Sequence, residues 1–197
     1  MKHGDRLRKG EVRIIGGIWR RRRIKVPNVR GLRPSPDAVR ETLFNWIQSD
    51  LPGARCVDLF AGSGALGFEA ASRGADSVVL VESNAVAARQ LNENCRILDA
   101  EDRVQVFHGN VDRFLNSNQA KFDLIFMDPP FHEGLLDVTC RLLTVRFPFT
   151  ENALLYLESP STNGPLPIPA AWHIIRQQDR GAVRSTLIKP LNITNAL

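Results

Sequence analysis

The stretch CVDLFAGSGALGFEAASRG, residues 56–74, decides the fold. Its first five residues are apolar apart from one aspartate, which reads as a buried strand. A glycine-rich turn follows, and GALGFEAASRG then predicts a helix closed by Gly74. Strand, glycine loop and helix in that order open a β-α-β unit. Working outward, SVVLVE predicts a second strand. The segment after Asn84 predicts a helix with Ala87, Leu91, Cys95 and Leu98 on one face. RVQVFHG, FDLIFMD and ALLYLES predict three more strands, with VDRFLNS and GLLDVTCRLL as helices between them. The tail WHIIRQQDRGAVRSTLIKPL reads as two strands joined around Arg180-Gly181. Repeated β-α units with apolar strands predict an α/β fold, a mainly parallel sheet with helices on both faces.

Ligands bind such sheets at the carboxyl ends of the strands. That rule gathers residues 58–64, Glu82, Gly109, Asn110 and residues 128–131 into one crevice. GSGALG, residues 62–67, satisfies the G-x-G-x-x-G pattern of a dinucleotide site, and Glu82 stands twenty residues past Gly62, where a ribose-binding acid belongs. A nicotinamide-dependent oxidoreductase is therefore one reading. Asp58 opposes it, because a strand-end carboxylate would face the pyrophosphate that such a loop holds. S-adenosylmethionine brings an ammonium and a sulfonium instead, and a carboxylate suits both. On this reading Phe60, Gly62, Ser63 and Gly64 form the donor loop, Glu82 takes the ribose hydroxyls and Asn110 the adenine edge. Ser63 lacks the flanking glycines of a nucleophile elbow, and no P-loop pattern occurs.

DLIFMDPPF, residues 123–131, ends a buried strand on a carboxylate, two prolines and an aromatic ring. An exocyclic amino group on a nucleobase is a poor nucleophile, because its lone pair is delocalised into the ring. Methylating it needs acceptors that orient the amine and stabilise the charge developing on nitrogen. Asp128 supplies one acceptor and the Pro129 carbonyl the other, on a backbone that Pro129 and Pro130 stiffen. Phe131 offers a stacking face to an unpaired or flipped base. His132 beside the loop reads as incidental, and Glu158, ending another strand, as structural or ion-pairing.

The net charge of +5 conceals an asymmetry. Residues 1–33 hold twelve Lys or Arg against Asp5 and Glu11, leaving the remainder acidic at −5. A basic arm on an acidic body suits a polyanionic partner, nucleic acid first, although a solvated basic tail would share the composition. Within the arm, Gly16-Gly17 between apolar segments predicts a β-hairpin over residues 12–26 with exposed arginines. After it, Ser35 reads as an N-cap and Pro36 as the first helical residue, with Val39, Leu43, Trp46 and Ile47 on one face. At 197 residues and 43% hydrophobic composition, the expectation is a basic arm, 1–33, on one domain, 34–197. No run is apolar enough for a bilayer or a signal peptide, and three scattered cysteines read as buried thiols, so a cytoplasmic protein is expected.

RIIGGIWRRRRIKVP, RPSPDAVRETLFNWI, DLFAGSGALGFEAASRGA and FDLIFMDPPF together resemble, in order and across nearly the whole chain, the bacterial 16S rRNA guanine-N2 methyltransferases of the RsmD family. The resemblance implies a class I S-adenosylmethionine-dependent methyltransferase fold, Rossmann-like, with the last strand inserted antiparallel. It also implies methyl transfer to the N2 of one guanine, S-adenosylhomocysteine as product, and no metal. The implied partner is 16S rRNA in the 30S subunit or its assembly intermediate; separately, no apolar stripe stands apart from the expected core, and a monomer is the expectation. The resemblance places Asp128, Pro129, Pro130 and Phe131 in the catalytic loop, and Asp58, Gly62, Gly64 and Glu82 at the donor. Arg33, Asp37 and Arg40 would flank the site's mouth, while Arg13, Arg20, Arg21, Arg22, Arg23 and Lys25 would grip rRNA phosphates, with Trp19 stacking or packing the hairpin. The family often has alanine where Val111 stands, which leaves the Asn110 contact less supported. DPPF also serves adenine-N6 methylation, so that reading stays open, as does a noncatalytic RNA-binding module that uses the hairpin alone.

Overall fold

The computed structural model describes residues 10–29, 35–131, 134–162 and 164–191. Its centre is a seven-stranded sheet built from β3 (Arg55–Asp58), β4 (Ser77–Glu82), β5 (Val104–His108), β6 (Phe122–Met127), β7 (Phe149–Pro160), β8 (His173–Arg180) and β9 (Val183–Lys189). The strands lie in the order β5-β4-β3-β6-β7-β9-β8. The five strands from β5 to β7 are mutually parallel, and β9 enters antiparallel between β7 and β8. The expected α/β sheet with an antiparallel last strand is therefore what forms. Strand order reverses between β3 and β6, and a ligand crevice opens at such a switch point.

Period-two alternation divides the core. Cys56, Leu124, Phe126, Leu154, Tyr156 and Leu187 point to one face. Val57, Leu59, Ile125, Met127, Leu155, Leu157 and Ile188 point to the other. The first face is covered by α1 (Asp37–Trp46), α2 (Ala65–Ser72) and α3 (Ala85–Leu98), the second by α4 (Val111–Ser117) and α5 (Leu135–Arg146). The stripe on α3 holds, with Ala87, Leu91, Cys95 and Leu98 all buried. On α1, Val39, Leu43 and Ile47 are buried together with Phe44, so the buried face is wider than a single stripe. Each such side chain contributes roughly 1.5–3 kcal/mol by leaving water. The three cysteines are free and buried. Among the described residues, no helix is long and apolar enough to cross a membrane.

The hairpin forms, but not with the expected turn. β1 (Glu11–Arg13) and β2 (Arg23–Lys25) pair antiparallel, with Val12 opposite Ile24, and residues 14–22 make a broad loop. Gly16 and Gly17 do not close a tight turn. They dock the loop on α2 instead. Glu69 accepts the N–H groups of Ile15 and Gly16, each at 2.7 Å, and Ser72 Oγ accepts Trp19 N–H at 2.9 Å while donating to the Gly16 carbonyl at 2.6 Å. Gly17 has φ +74, and a Cβ there would meet the Ser72 carbonyl oxygen at 1.7 Å, so only glycine fits this contact. Trp19 packs into the core with Val12, Ile14 and Ile24 rather than standing free to stack.

The start of α1 also moves. Pro36 occupies the N-cap position and the helix begins at Asp37, one residue later than read, which frees the Ser35 hydroxyl for other partners.

Candidate active site

Three neighbouring strands of the central sheet carry acids at or near their carboxyl ends, on the same face. Asp58 pairs with Phe126 across β3 and β6, and Phe126 pairs with Tyr156 across β6 and β7. Two residues further on, Asp128 and Glu158 stand side by side beyond the paired Met127 and Leu157. Neighbours in a parallel register point the same way, so the three carboxyls converge over the switch point. Asp58 and Glu158 are 1% and 3% exposed, whereas Asp128 is half-buried and opens outward. No cation among the described residues is ion-paired with any of them.

The consequence is a set of raised carboxyls. Burial pushes Asp58 up to about 7, with repulsion from Asp128 adding and the backbone N–H groups of Phe60 and Gly67 opposing. Burial also raises Asp128, against which the Ser35 hydroxyl acts. Glu158 is raised by burial first and then by the charge of Asp128. A pocket of unpaired acids is the chemistry of a site awaiting positive charge, and a ligand carrying an ammonium and a sulfonium fits it.

The loop after β3 is shaped by Glu82. Its Oε2 accepts Gly62 N–H at 2.8 Å and its Oε1 accepts Asn84 N–H at 2.7 Å, which ties the glycine loop to the end of β4. Each oxygen keeps a lone pair for a hydroxyl beyond the loop. Gly64, at φ +78, turns the chain into α2, and a Cβ there would strike Phe68 and Leu91 at 2.6 and 2.7 Å. Ser63 is buried with Oγ accepting Ala65 N–H, while Phe60 is half-buried beside Asp58. Asn110 caps α4 through Oδ1, which accepts Arg113 N–H at 2.8 Å, and its amide nitrogen stays available to a ligand. Pro129 is buried and Pro130 exposed; the Phe131 ring, 39% exposed, stands at the rim. Among the described residues no group of three or more His, Cys, Asp or Glu is arranged to hold a metal ion.

Arg40 requires a correction. It is 1% exposed, and its guanidinium is engaged inside the protein. Nη2 donates to Asp37 at 2.7 Å and to the Arg13 carbonyl at 2.9 Å, and Nη1 reaches Glu69 at 3.5 Å. It cannot flank an RNA-facing mouth; it holds α1, α2 and the hairpin together. Arg13 pairs with Asp37, Arg23 with Glu11 and exposed Lys25 with Glu93. Arg22 donates to the Ile97 carbonyl. Arg20 and Arg21 are exposed, and their side chains make no hydrogen bond to the described residues. Arg33 and His132 lie outside the described residues.

Ser35 is the residue that the sequence reading missed. Instead of capping α1, its hydroxyl lies 3.3 Å from Asp128 Oδ2 and 3.3 Å from Glu158 Oε1. Glu158, read as structural, is part of the same acid cluster. One signal was available: the apolar runs CVDLF, FDLIFMD and ALLYLES, read as strands, each carry an acid at or near their carboxyl end.

Sheet order, inserted β9 and the glycine loop beside β3 define the class I methyltransferase fold. The family described as Conserved hypothetical protein 95 matches residues 12–189, and the chain belongs to it. It is 42% identical over 183 residues to ribosomal RNA small subunit methyltransferase D of Escherichia coli strain K12, covering 93% of this chain and 92% of that one. The Haemophilus influenzae protein of the same name is 42% identical over 178 residues, covering 89% of this chain and 92% of its own. The solved yhhF structure from Escherichia coli superposes with a TM-score of 0.84 at 41% identity, over 91% of this chain and 97% of that one. The likeness to the small-subunit ribosomal RNA methyltransferases thus extends over nearly the whole chain, and the nicotinamide reading falls away.

Proposed function

We propose that this protein transfers a methyl group from S-adenosylmethionine to the exocyclic N2 of one guanine in 16S rRNA. The relatives named as ribosomal RNA small subunit methyltransferase D supply the reaction class. The observation that carries the reading to residues is the position of Asp128 at the carboxyl end of β6, beside Asp58 and the glycine loop.

The donor supplies an electrophilic methyl group on a sulfonium. Asp58 would hold its ammonium end, residues 60–64 its methionine part and Glu82 its ribose, with Asn110 toward the adenine. Asp128 and the Pro129 carbonyl accept the two N–H bonds of the guanine amine, which turns the nitrogen lone pair toward the methyl. As the N–C bond forms, positive charge grows on nitrogen, and Asp128 stabilises it and takes the departing proton. Phe131 stacks on the base, which must be unpaired or flipped to present its amine to Asp128.

Arg20 and Arg21 would meet rRNA phosphates, joined by Arg13, Arg22, Arg23 and Lys25 where RNA competes for their present partners. The arm, residues 1–33, and the domain, 34–197, would thus grip and modify respectively. We place the reaction in the cytoplasm, on the 30S particle or its assembly intermediate, with the protein acting as a monomer.

The test is labelled-donor incubation with 30S particles and with naked 16S rRNA, both from cells lacking this enzyme, followed by nucleoside mass spectrometry. N2-methylguanosine is expected. N6-methyladenosine would overturn the guanine assignment, and unmodified RNA the function.

Two further outcomes follow from the charges. Replacing Arg20 and Arg21 together by alanine should weaken rRNA binding and flatten the log–log salt dependence by roughly 1.4–1.8, at about 0.7–0.9 for each phosphate no longer neutralised. Filter binding across a salt series measures this, and an unchanged slope would remove both residues from the interface. Donor affinity should rise with pH up to about 7, where Asp58 ionises. Below that value binding must first expel the Asp58 proton, so affinity falls by up to about tenfold per pH unit. The stability of the free protein should follow the opposite trend. A raised carboxyl lends stability below its ordinary range and loses it as pH climbs through about 7. Calorimetric titration with S-adenosylhomocysteine between pH 5 and 8 checks the first trend, and Asp58→Asn should abolish its slope.

A further inference from the structure

Ser35, Asp128 and Glu158 come from three separate segments and meet at one hydroxyl. Ser35 Oγ lies 3.3 Å from Asp128 Oδ2, 3.3 Å from Glu158 Oε1 and 3.5 Å from Glu158 Oε2. From the other side, Tyr156 Oη donates to Glu158 Oε1 at 2.8 Å and lies 3.0 Å from Ser185 Oγ on β9. A serine hydroxyl carries one hydrogen. It can donate to Asp128 or to Glu158, and the second contact becomes a hydrogen bond only if that carboxyl itself carries a proton. The arrangement therefore accommodates two acids and one shared proton.

We propose that Ser35 and Glu158 are positioning residues for Asp128. Glu158 keeps the proton and donates it to Ser35 Oγ, and Ser35 donates to Asp128 Oδ2, holding that carboxylate ionised and aimed at the amine. The chain then runs Tyr156 to Glu158 to Ser35 to Asp128, every hydroxyl donating once. The proposal rests on the methyltransferase reading, in which Asp128 is the acceptor.

The proton belongs on Glu158 for structural reasons. Glu158 is 3% exposed under Tyr156, whereas Asp128 opens to the mouth of the site. Repulsion from Asp128 and Asp58 acts on Glu158 in the same direction as its burial. Among the described residues, the groups that face the pair are Asp58 on β3, Tyr156 on β7, Ser185 on β9 and Ser35 ahead of α1; all of these are acidic or neutral. Ionising Glu158 would place a second negative charge against Asp128 and leave Ser35 unable to serve both. Activity should thus fall on the alkaline side as Glu158 loses its proton, and on the acid side as Asp128 gains one.

The experiment compares Glu158→Ala, Glu158→Gln and Ser35→Ala in single-turnover methylation of the 30S substrate across pH. Alanine at either position should lower kcat by about ten- to a hundredfold with little change in the KM for donor. Glutamine imitates the neutral acid, since its amide donates to Ser35 and its carbonyl accepts from Tyr156. It should recover most of the alanine loss near neutral pH and erase the alkaline limb. Glutamine behaving like alanine, or an alkaline limb that persists unchanged, overturns the proposal. The proton is also read without turnover, by carboxyl ¹³C NMR of protein labelled at Glu and Asp. Glu158 should be protonated at pH 7 with Asp128 ionised, and Asp128→Asn should lower the Glu158 titration. Ionised Glu158 at pH 7 refutes the arrangement whichever base is modified, whereas unmodified rRNA with wild-type protein refutes the methyltransferase reading and leaves the proton measurement to stand on its own.

Discussion

Asp128→Ala should reduce methyl transfer to rRNA by about a hundred- to a thousandfold, the usual cost of removing one preorganised acceptor from a developing charge. The loss should fall on turnover. Asp128 follows β6, the strand next to the one that leads into the donor loop, and it takes no part in the Gly62–Glu82 and Gly64–Ala61 hydrogen bonds, which its removal should leave intact. The fold should tolerate the change, because the side chain is half-buried and its one described side-chain hydrogen bond is to Ser35. A sharper check comes from the coupling to Asp58, which Asp128 holds up by repulsion. Without that charge Asp58 ionises at lower pH, so the variant should bind donor more tightly than wild type near pH 6. Single-turnover assays and calorimetry in parallel decide the matter. Undiminished product removes Asp128 from the chemistry, and lost donor binding at all pH values places it in the donor site instead.

What the sequence disclosed, and what it withheld, divides along the range of the interactions. The strands and helices were legible because alternation and helical periodicity are local, and α3 shows it in Ala87, Leu91, Cys95 and Leu98. Asp58, Glu82 and Asp128 were legible because strand ends in a parallel sheet converge whatever the details. Gly16-Gly17 misled because the local rule for two glycines between apolar runs is a hairpin turn. Their actual partner, Ser72, lies more than fifty residues away. Ser35 before Pro36 likewise carries a cap signature, but the cluster of acids competes for its hydroxyl, and that competition exists only after β6 and β7 are in register. Arg40 was placed at the site's mouth by the family resemblance of its segment, and that placement says nothing of which helix face is covered. Phe44, one turn on, was the available hint that this face turns inward.

Arg40→Ala should destabilise the protein by about 3–5 kcal/mol, the cost of breaking a buried ion pair by removing one partner. Glu69 is fully buried, and its carboxylate serves four groups: Arg40, Arg73 and the N–H groups of Ile15 and Gly16. Losing Arg40 withdraws one of its two cations and strands the Arg13 carbonyl and Asp37 Oδ1. Because Glu69 also pins the loop, the damage should spread to the arm. Protease cleavage within residues 14–22 should accelerate well before global unfolding. Equilibrium urea unfolding gives the first quantity and limited proteolysis the second. An arginine that contacted RNA would behave in the opposite way, weakening rRNA binding and its salt dependence at unchanged stability. That outcome would return Arg40 to the interface. The expected one makes it the joint that holds the hairpin against α1 and α2.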